Sequence, residues 1–129
     1  MSFTTQVRSW TVKAGDNIEE LRKNVMLELF SSVILDTPVL EGRLRGNWTI
    51  SSGSPETAWF NLVDKDGNET IHKVKDHIKN LPPRDQSVFL ANNLPYAHTI
   101  EFDGWSKKAP EGMVRKNFIR ISNNLKRNG

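Results

Sequence analysis

Three histidines, His72, His77 and His98, are the side chains of this sequence best suited to moving a proton or holding a metal. The run Asp64-Lys65-Asp66-Gly67-Asn68-Glu69 is its most tempting chemical motif. Neither arrangement meets its chemistry. Two imidazoles on one helix share a metal when four residues separate them, whereas His72 and His77 are five apart and so point about 140° away from each other. A calcium loop needs oxygen ligands at positions 1, 3, 5 and 12 with glycine at 6. Counted from Asp64, glycine falls at position 4 and Lys75 at position 12. A capping box explains the same residues more simply, with Asp66 as N-cap and Glu69 three residues on. Cysteine is absent, which removes disulfides, thiol nucleophiles and cysteine zinc sites together. No nucleophile elbow, phosphate loop or dinucleotide glycine pattern occurs either. The residues therefore predict no enzyme, no metal site and no cofactor.

The elements that would position any functional side chain follow from period and punctuation. Asp16 and Glu19 form a capping-box start. Ile18, Leu21, Val25, Leu29 and Val33 then recur at helical spacing, widened by Met26, Phe30 and Ile34, until Asp36-Thr37-Pro38 stops the run. This predicts a long helix lying across a sheet. Residues 1–14, rich in Thr and aromatics, read as an extended arm or an edge strand. Trp48 and Ile50 alternate with polar neighbours, Gly53-Ser54-Pro55 marks a turn, and Ala58-Trp59-Phe60 reads as a second strand or a short irregular segment. Ile71, Val74, Ile78 and Leu81 predict a second amphipathic helix that ends before Pro82-Pro83. Residues 87–91 suit a buried strand. Pro110 opens a last helix with Val114, Phe118, Ile121 and Leu125 facing inward and Arg115, Lys116, Arg120, Lys126 and Arg127 on its other face. The fold class is α+β, a long N-terminal and a C-terminal helix packed with a small, mainly antiparallel sheet. Trp48, Tyr96 and Phe118 are expected to meet Val25 and Leu29 in its core.

At 129 residues, 36% apolar and 26% charged, the chain has the length and composition of one folded domain spanning 1–129. No window approaches the roughly 18 apolar residues of a membrane span, and the first residues lack a signal peptide's basic start and apolar run. The reading is a protein of aqueous solution, without membrane contact. Charge is uneven: from Trp105 onward seven Lys or Arg stand against Glu111 alone, so the net +3 of the chain divides into +6 at this end and −3 elsewhere. Such a basic end suits an acidic partner or the phosphates of DNA. No RNA-recognition, zinc-finger or helix-turn-helix signature accompanies it, so a small DNA-binding protein is the rival reading from another class.

Two connectors stand out instead as contact surfaces. Gly42-Arg43-Leu44-Arg45-Gly46 joins the first helix to the first strand, and its two arginines suit bidentate contact with a neighbour's carboxylates. The stretch from Asn93 to Arg115 is the second. Arg43, Arg45, Glu101, Lys107, Arg115, Arg120 and Arg127 are the candidate interface residues, and Arg120 and Arg127 are expected to tolerate charge reversal without loss of fold.

The blocks Thr37-Pro38-Val39 with Gly42-Arg43-Leu44-Arg45-Gly46-Asn47-Trp48, then Val88-Phe89-Leu90-Ala91-Asn92-Asn93-Leu94-Pro95-Tyr96-Ala97, Ile100-Glu101, and Ser106-Lys107-Lys108-Ala109-Pro110-Glu111-Gly112-Met113-Val114-Arg115 stand in a recognisable order. The chain resembles, over roughly residues 16 to 125, the tail-completion or neck proteins of long-tailed bacteriophages. The resemblance implies a virion structural protein at the junction of the DNA-filled head and the tail, present in the host cytoplasm during assembly, without catalytic residues or cofactor. It further implies a ring of identical subunits, hexameric by the symmetry of a tail tube. The implied partners are the tail terminator, the tail tube and the head-completion or connector proteins, with non-specific contact to DNA in the lumen. A tail terminator that caps the tube is the alternative within the same class.

Overall fold

The structure, a computed structural model, describes residues 18–39, 41–82, 87–102 and 111–128. The expectations for residues 1–14, Asp16, Lys107 and Pro110 lie outside the described residues. Five helices and two strands occur among those described: α1 (Ile18–Asp36), the single turn α2 (Arg43–Gly46), β1 (Trp48–Ser52), α3 (Asn68–Lys79), β2 (Val88–Asn92), α4 (Ala97–Phe102) and α5 (Val114–Asn128). The α+β class is as expected, with helix predominating. No described helix is long and apolar enough to cross a membrane.

Helix α1 ends where Pro38 excludes helical backbone at the preceding residue. Thr37 closes the end by donating its N–H to the Ile34 carbonyl at 3.2 Å and its hydroxyl to the Val33 carbonyl at 2.7 Å. Its burial differs from the expected stripe. Ile18 is exposed and Leu21 and Val25 are half-buried, while Glu28 and the run Phe30 to Ile34 are buried. Consecutive buried residues go all round a helix, so α1 is enclosed from Phe30 to Ile34. Helix α3 packs on it from one side and α5 from another.

Strand β1 pairs antiparallel with β2, in the register Trp48 to Asn92, Ile50 to Leu90 and Ser52 to Val88. Residues 58–60 are not a strand; of the two readings, the irregular segment is the observed one. One face of the sheet, with Ile50, Val88 and Leu90, lies against the core. Period-two geometry turns Thr49, Ser51, Phe89 and Ala91 the other way, which leaves β2 half-buried where a buried strand was expected. Helix α3 begins after Gly67, but the capping box at Asp66 is not what forms. Asp64 supplies the cap: its carboxylate accepts from the Thr70 N–H at 2.8 Å, the Thr70 hydroxyl at 2.7 Å and the Gly67 N–H at 3.1 Å. Asp66 accepts from the Asn68 N–H at 3.0 Å and from no N–H at the third helical position.

The core gathers Phe30, Val33 and Ile34 of α1 with Leu44, Trp48, Val74, Ile78 and Ile100. Trp48 is 7% exposed as expected, but Tyr96 is 44% and Phe118 58% exposed, and neither belongs to the core. The last helix is rotated from its expected setting: Met113, Asn117, Ile121 and Asn124 are buried, and Val114 and Phe118 face out. The cause lies on α1, where Glu28, Ser32 and Asp36 face α5 and need hydrogen-bond donors. Asn117 donates to Asp36 at 2.9 Å and Arg120 donates to Ser32 at 3.0 Å, so the face carrying those residues turns inward. Chemical denaturation is expected to show Ile34→Ala losing about 2–5 kcal/mol of stability and Phe118→Ala changing it by about 0.5 kcal/mol or less. A large loss for Phe118→Ala would contradict this orientation of α5.

Candidate interaction surface

Arg45, expected to reach a neighbouring subunit, works inside this one. Its guanidinium donates to the carbonyls of Lys65 at 2.7 Å, Leu35 at 2.8 Å and Thr37 at 2.9 Å. Leu35 and Thr37 belong to the end of α1, where helical carbonyls lack partners. The glycines of this connector serve close approach. A Cβ on Gly42, whose φ is +90°, would stand 2.8 Å from the Lys65 nitrogen, and one on Gly46 would stand 2.9 Å from the Leu62 carbonyl oxygen. Trp48 donates its indole N–H to the Thr37 hydroxyl at 2.8 Å. Thr37, Gly42, Leu44, Gly46, Asn47 and Trp48 are thus buried against the body rather than parts of a free turn. Arg43 is half-exposed, with one terminal nitrogen 4.0 Å from Glu41.

Glu101 is likewise internal. Its carboxylate accepts from the N–H groups of Met113 at 2.7 Å, Val114 at 2.8 Å and Arg115 at 3.2 Å, and from the Arg115 side chain at 2.9 Å. It holds the N-terminus of α5, where free N–H groups and the helix dipole favour an anion. Burial pushes its carboxyl up, but the N–H groups of Val114 and Met113 and the Arg115 guanidinium outweigh burial and leave it below the usual value. Arg115 also lies 5.0 Å above the Phe102 ring.

Arg120 and Lys116 bridge α5 to α1, Arg120 to Glu28 at 3.4 Å and Lys116 to Asp36 at 3.2 Å. Burial holds the Glu28 carboxyl above its usual value despite the opposing pull of Arg120. Reversing Arg120 would set a carboxylate against Glu28, contrary to the expected tolerance. Arg127 is exposed. Of the candidate interface residues, then, the structure brings Glu101 and Arg115 together, assigns Arg45 and Arg120 to internal contacts, and leaves Arg127 and part of Arg43 outward.

An outward surface that the sequence did not single out lies between β1 and α3. Residues 55–64 run without turn or bend and are strapped to the body through their backbone. Asn93 donates to the carbonyls of Glu56 and Ala58, at 2.8 and 3.1 Å. Asn47 pairs with both backbone groups of Phe60, accepting at 2.7 Å and donating at 2.9 Å. The Asp64 N–H donates to the Gly42 carbonyl at 2.9 Å. With the backbone bound, the side chains face out: Trp59 is 54% exposed, and Phe60, Leu62 and Val63 are exposed as well. A second set of exposed apolar side chains, Phe102, Val114, Phe118 and Ile119, belongs to α4 and α5.

Catalytic geometry is sparse. Ser52 and His77 are hydrogen-bonded at 2.9 Å beside an open cavity of about 640 Å³ lined also by Lys73, Asp76 and Asn80. A serine nucleophile needs its histidine oriented by a third group, and among the described residues no carboxylate bonds to that ring. His98 packs on Phe102, ring centroids 4.6 Å apart. No three His, Asp or Glu side chains come together as a metal site among the described residues. Compared with models of protein families, with curated proteins and with solved structures, the chain matches none.

The two buried glutamates should respond oppositely to pH. Glu101, held below 4.5, stabilises the fold fully above that value and loses this contribution as pH falls through its folded pKa. Glu28, held above 4.5, contributes fully below that value and loses its contribution as pH rises through its folded pKa. Thermal melts are expected to show Glu101→Gln least stable relative to wild type near neutral pH, by about 1.5–3 kcal/mol, with the gap closing in acid. Glu28→Gln should instead gain on wild type as pH rises. Gaps independent of pH would contradict both assignments.

Proposed function

We propose that the chain is a structural subunit of the neck of a long-tailed bacteriophage, completing the tail and joining it to the head as part of a ring of identical copies. The observation that carries this reading is the ordered set of sequence blocks from Thr37 to Trp48, Val88 to Ala97, Ile100-Glu101 and Ser106 to Arg115. Residues of these blocks hold the connectors of the fold: Thr37, Arg45, Asn47 and Trp48 in one, Asn93 in the next, Glu101 and Arg115 in the last two. Exposed apolar side chains on the strap and on α5 suit a subunit whose working state is an assembly. Its location would be the virion, with the host cytoplasm as the site of assembly.

The ring's neighbours in this reading are the terminator, the tube and the head-side connector. The DNA-binding reading is weaker, because Arg115, Lys116 and Arg120 bond to carboxylates of the same chain. Lys126 and Arg127 remain exposed, enough for passing contact with DNA but few for a phosphate-binding face. Electron microscopy of particles made without the protein is expected to show filled heads unjoined to tails of normal length. Overlong tails would assign the chain to tail termination instead, and intact joined particles would overturn the neck reading.

A further inference from the structure

The strap has two unlike edges. On the inner one, backbone groups of residues 56, 58, 60 and 64 are bonded to Asn93, Asn47 and Gly42. From Phe60 to Asp64 the inward groups alternate, with Phe60 on Asn47, the Leu62 carbonyl against Gly46 and Asp64 on Gly42, which means an extended chain there, so the Trp59 carbonyl and the backbone groups of Asn61 and Val63 point to the opposite edge. That outer edge has no hydrogen-bond partner among the described residues. Exposed strand edges are ordinarily blunted by proline, by lysine or by brevity, and residues 59–63 contain neither proline nor lysine.

We propose that this outer edge accepts, as an added strand, the N-terminal arm of a second copy, residues 2–12. The choice of a second copy rests on the ring reading above. The arm SFTTQVRSWTV has strand-forming composition, and strand addition couples main-chain hydrogen bonds with pockets for alternate side chains. Charge is compatible: Glu56 and Asp64 flank the edge, and residues 2–12 carry Arg8 and no carboxylate.

The positions of the two segments favour an exchange between copies. Arg45 ties the strap at Lys65 to the C-terminal end of α1. The arm leaves α1 at its other end, about 28 Å away for a helix of 19 residues. To reach its own strap an arm would have to double back along the whole helix, whereas seventeen extended residues reach about 55 Å outward. Donor and acceptor at opposite ends of a subunit make a heterologous contact, which forms a ring where its rotation closes.

The chain has no cysteine, so introduced ones report the pairing directly. Purified Asn61→Cys protein is mixed with Thr4→Cys, Thr5→Cys or Gln6→Cys protein and oxidised, with Lys79→Cys on α3 as control. A mixed disulfide is expected for at least one arm position, about tenfold faster than with the control, since pairing raises the thiols' effective concentration. Predominant Asn61→Cys homodimers would mean that straps pair with each other and would overturn the proposal. So would an intramolecular disulfide in a dilute double variant, which would place the arm on its own strap, and so would no excess over the control. Crosslinking of purified protein reads the pairing alone and particle microscopy reads the neck assignment alone, so either can fail without the other.

Discussion

Three hydrogen bonds from one guanidinium hold the chain's separate parts in register. Arg45 reaches the carbonyls of Leu35 and Thr37 at the end of α1 and that of Lys65 at the end of the strap. A helix end leaves several carbonyls without partners, and burying them unpaired costs free energy. The planar fork of arginine can meet three carbonyls from one place, which the single ammonium of lysine does less well. With those carbonyls satisfied, Pro38 can turn the chain, Thr37 can receive the Trp48 indole, and the glycines of α2 can lie against the strap.

The same device recurs wherever ladder pairing is missing. The sheet has only two described strands, so most connections are fixed by side chains that bond to backbone. Asn47 and Asn93 hold the strap, Asn92 donates to the Leu44 carbonyl at 2.7 Å, Asp64 starts α3 and Glu101 starts α5. Each such bond contributes about 1 kcal/mol net, but removing one partner strands a buried polar group at a larger cost. The result is a set of rigid connectors around a modest apolar core, with apolar side chains left outside on the strap and on α5.

Helix positions were legible in the sequence because period and proline speak plainly: the spacing of Ile71, Val74 and Ile78 marks α3, and Pro38 and Pro82 close α1 and α3. The inward face of α5 was not. Val114 and Phe118 are the more apolar choice, yet α1 presents Glu28, Ser32 and Asp36, and a partner face is invisible in one helix's own pattern. Arg45, Glu101 and Arg120 read as surface charges for a related reason. What engages them is backbone carbonyl, helix N-terminus or a buried glutamate, brought close only by the fold. The strap left a signal that could have been used: Trp59-Phe60 and Leu62-Val63 fit neither helical nor alternating burial, as an extended segment bound by its backbone would not.

Amide hydrogen exchange in dilute protein, read residue by residue by NMR, tests most directly whether the strap is held edge-out. Slow exchange at Phe60 and Asp64, whose N–H groups bond to Asn47 and Gly42, with fast exchange at Trp59, Asn61 and Val63, is the expected pattern. Uniformly fast exchange from residue 59 to 64 would contradict it, because the strap would then not be bound to the body at all.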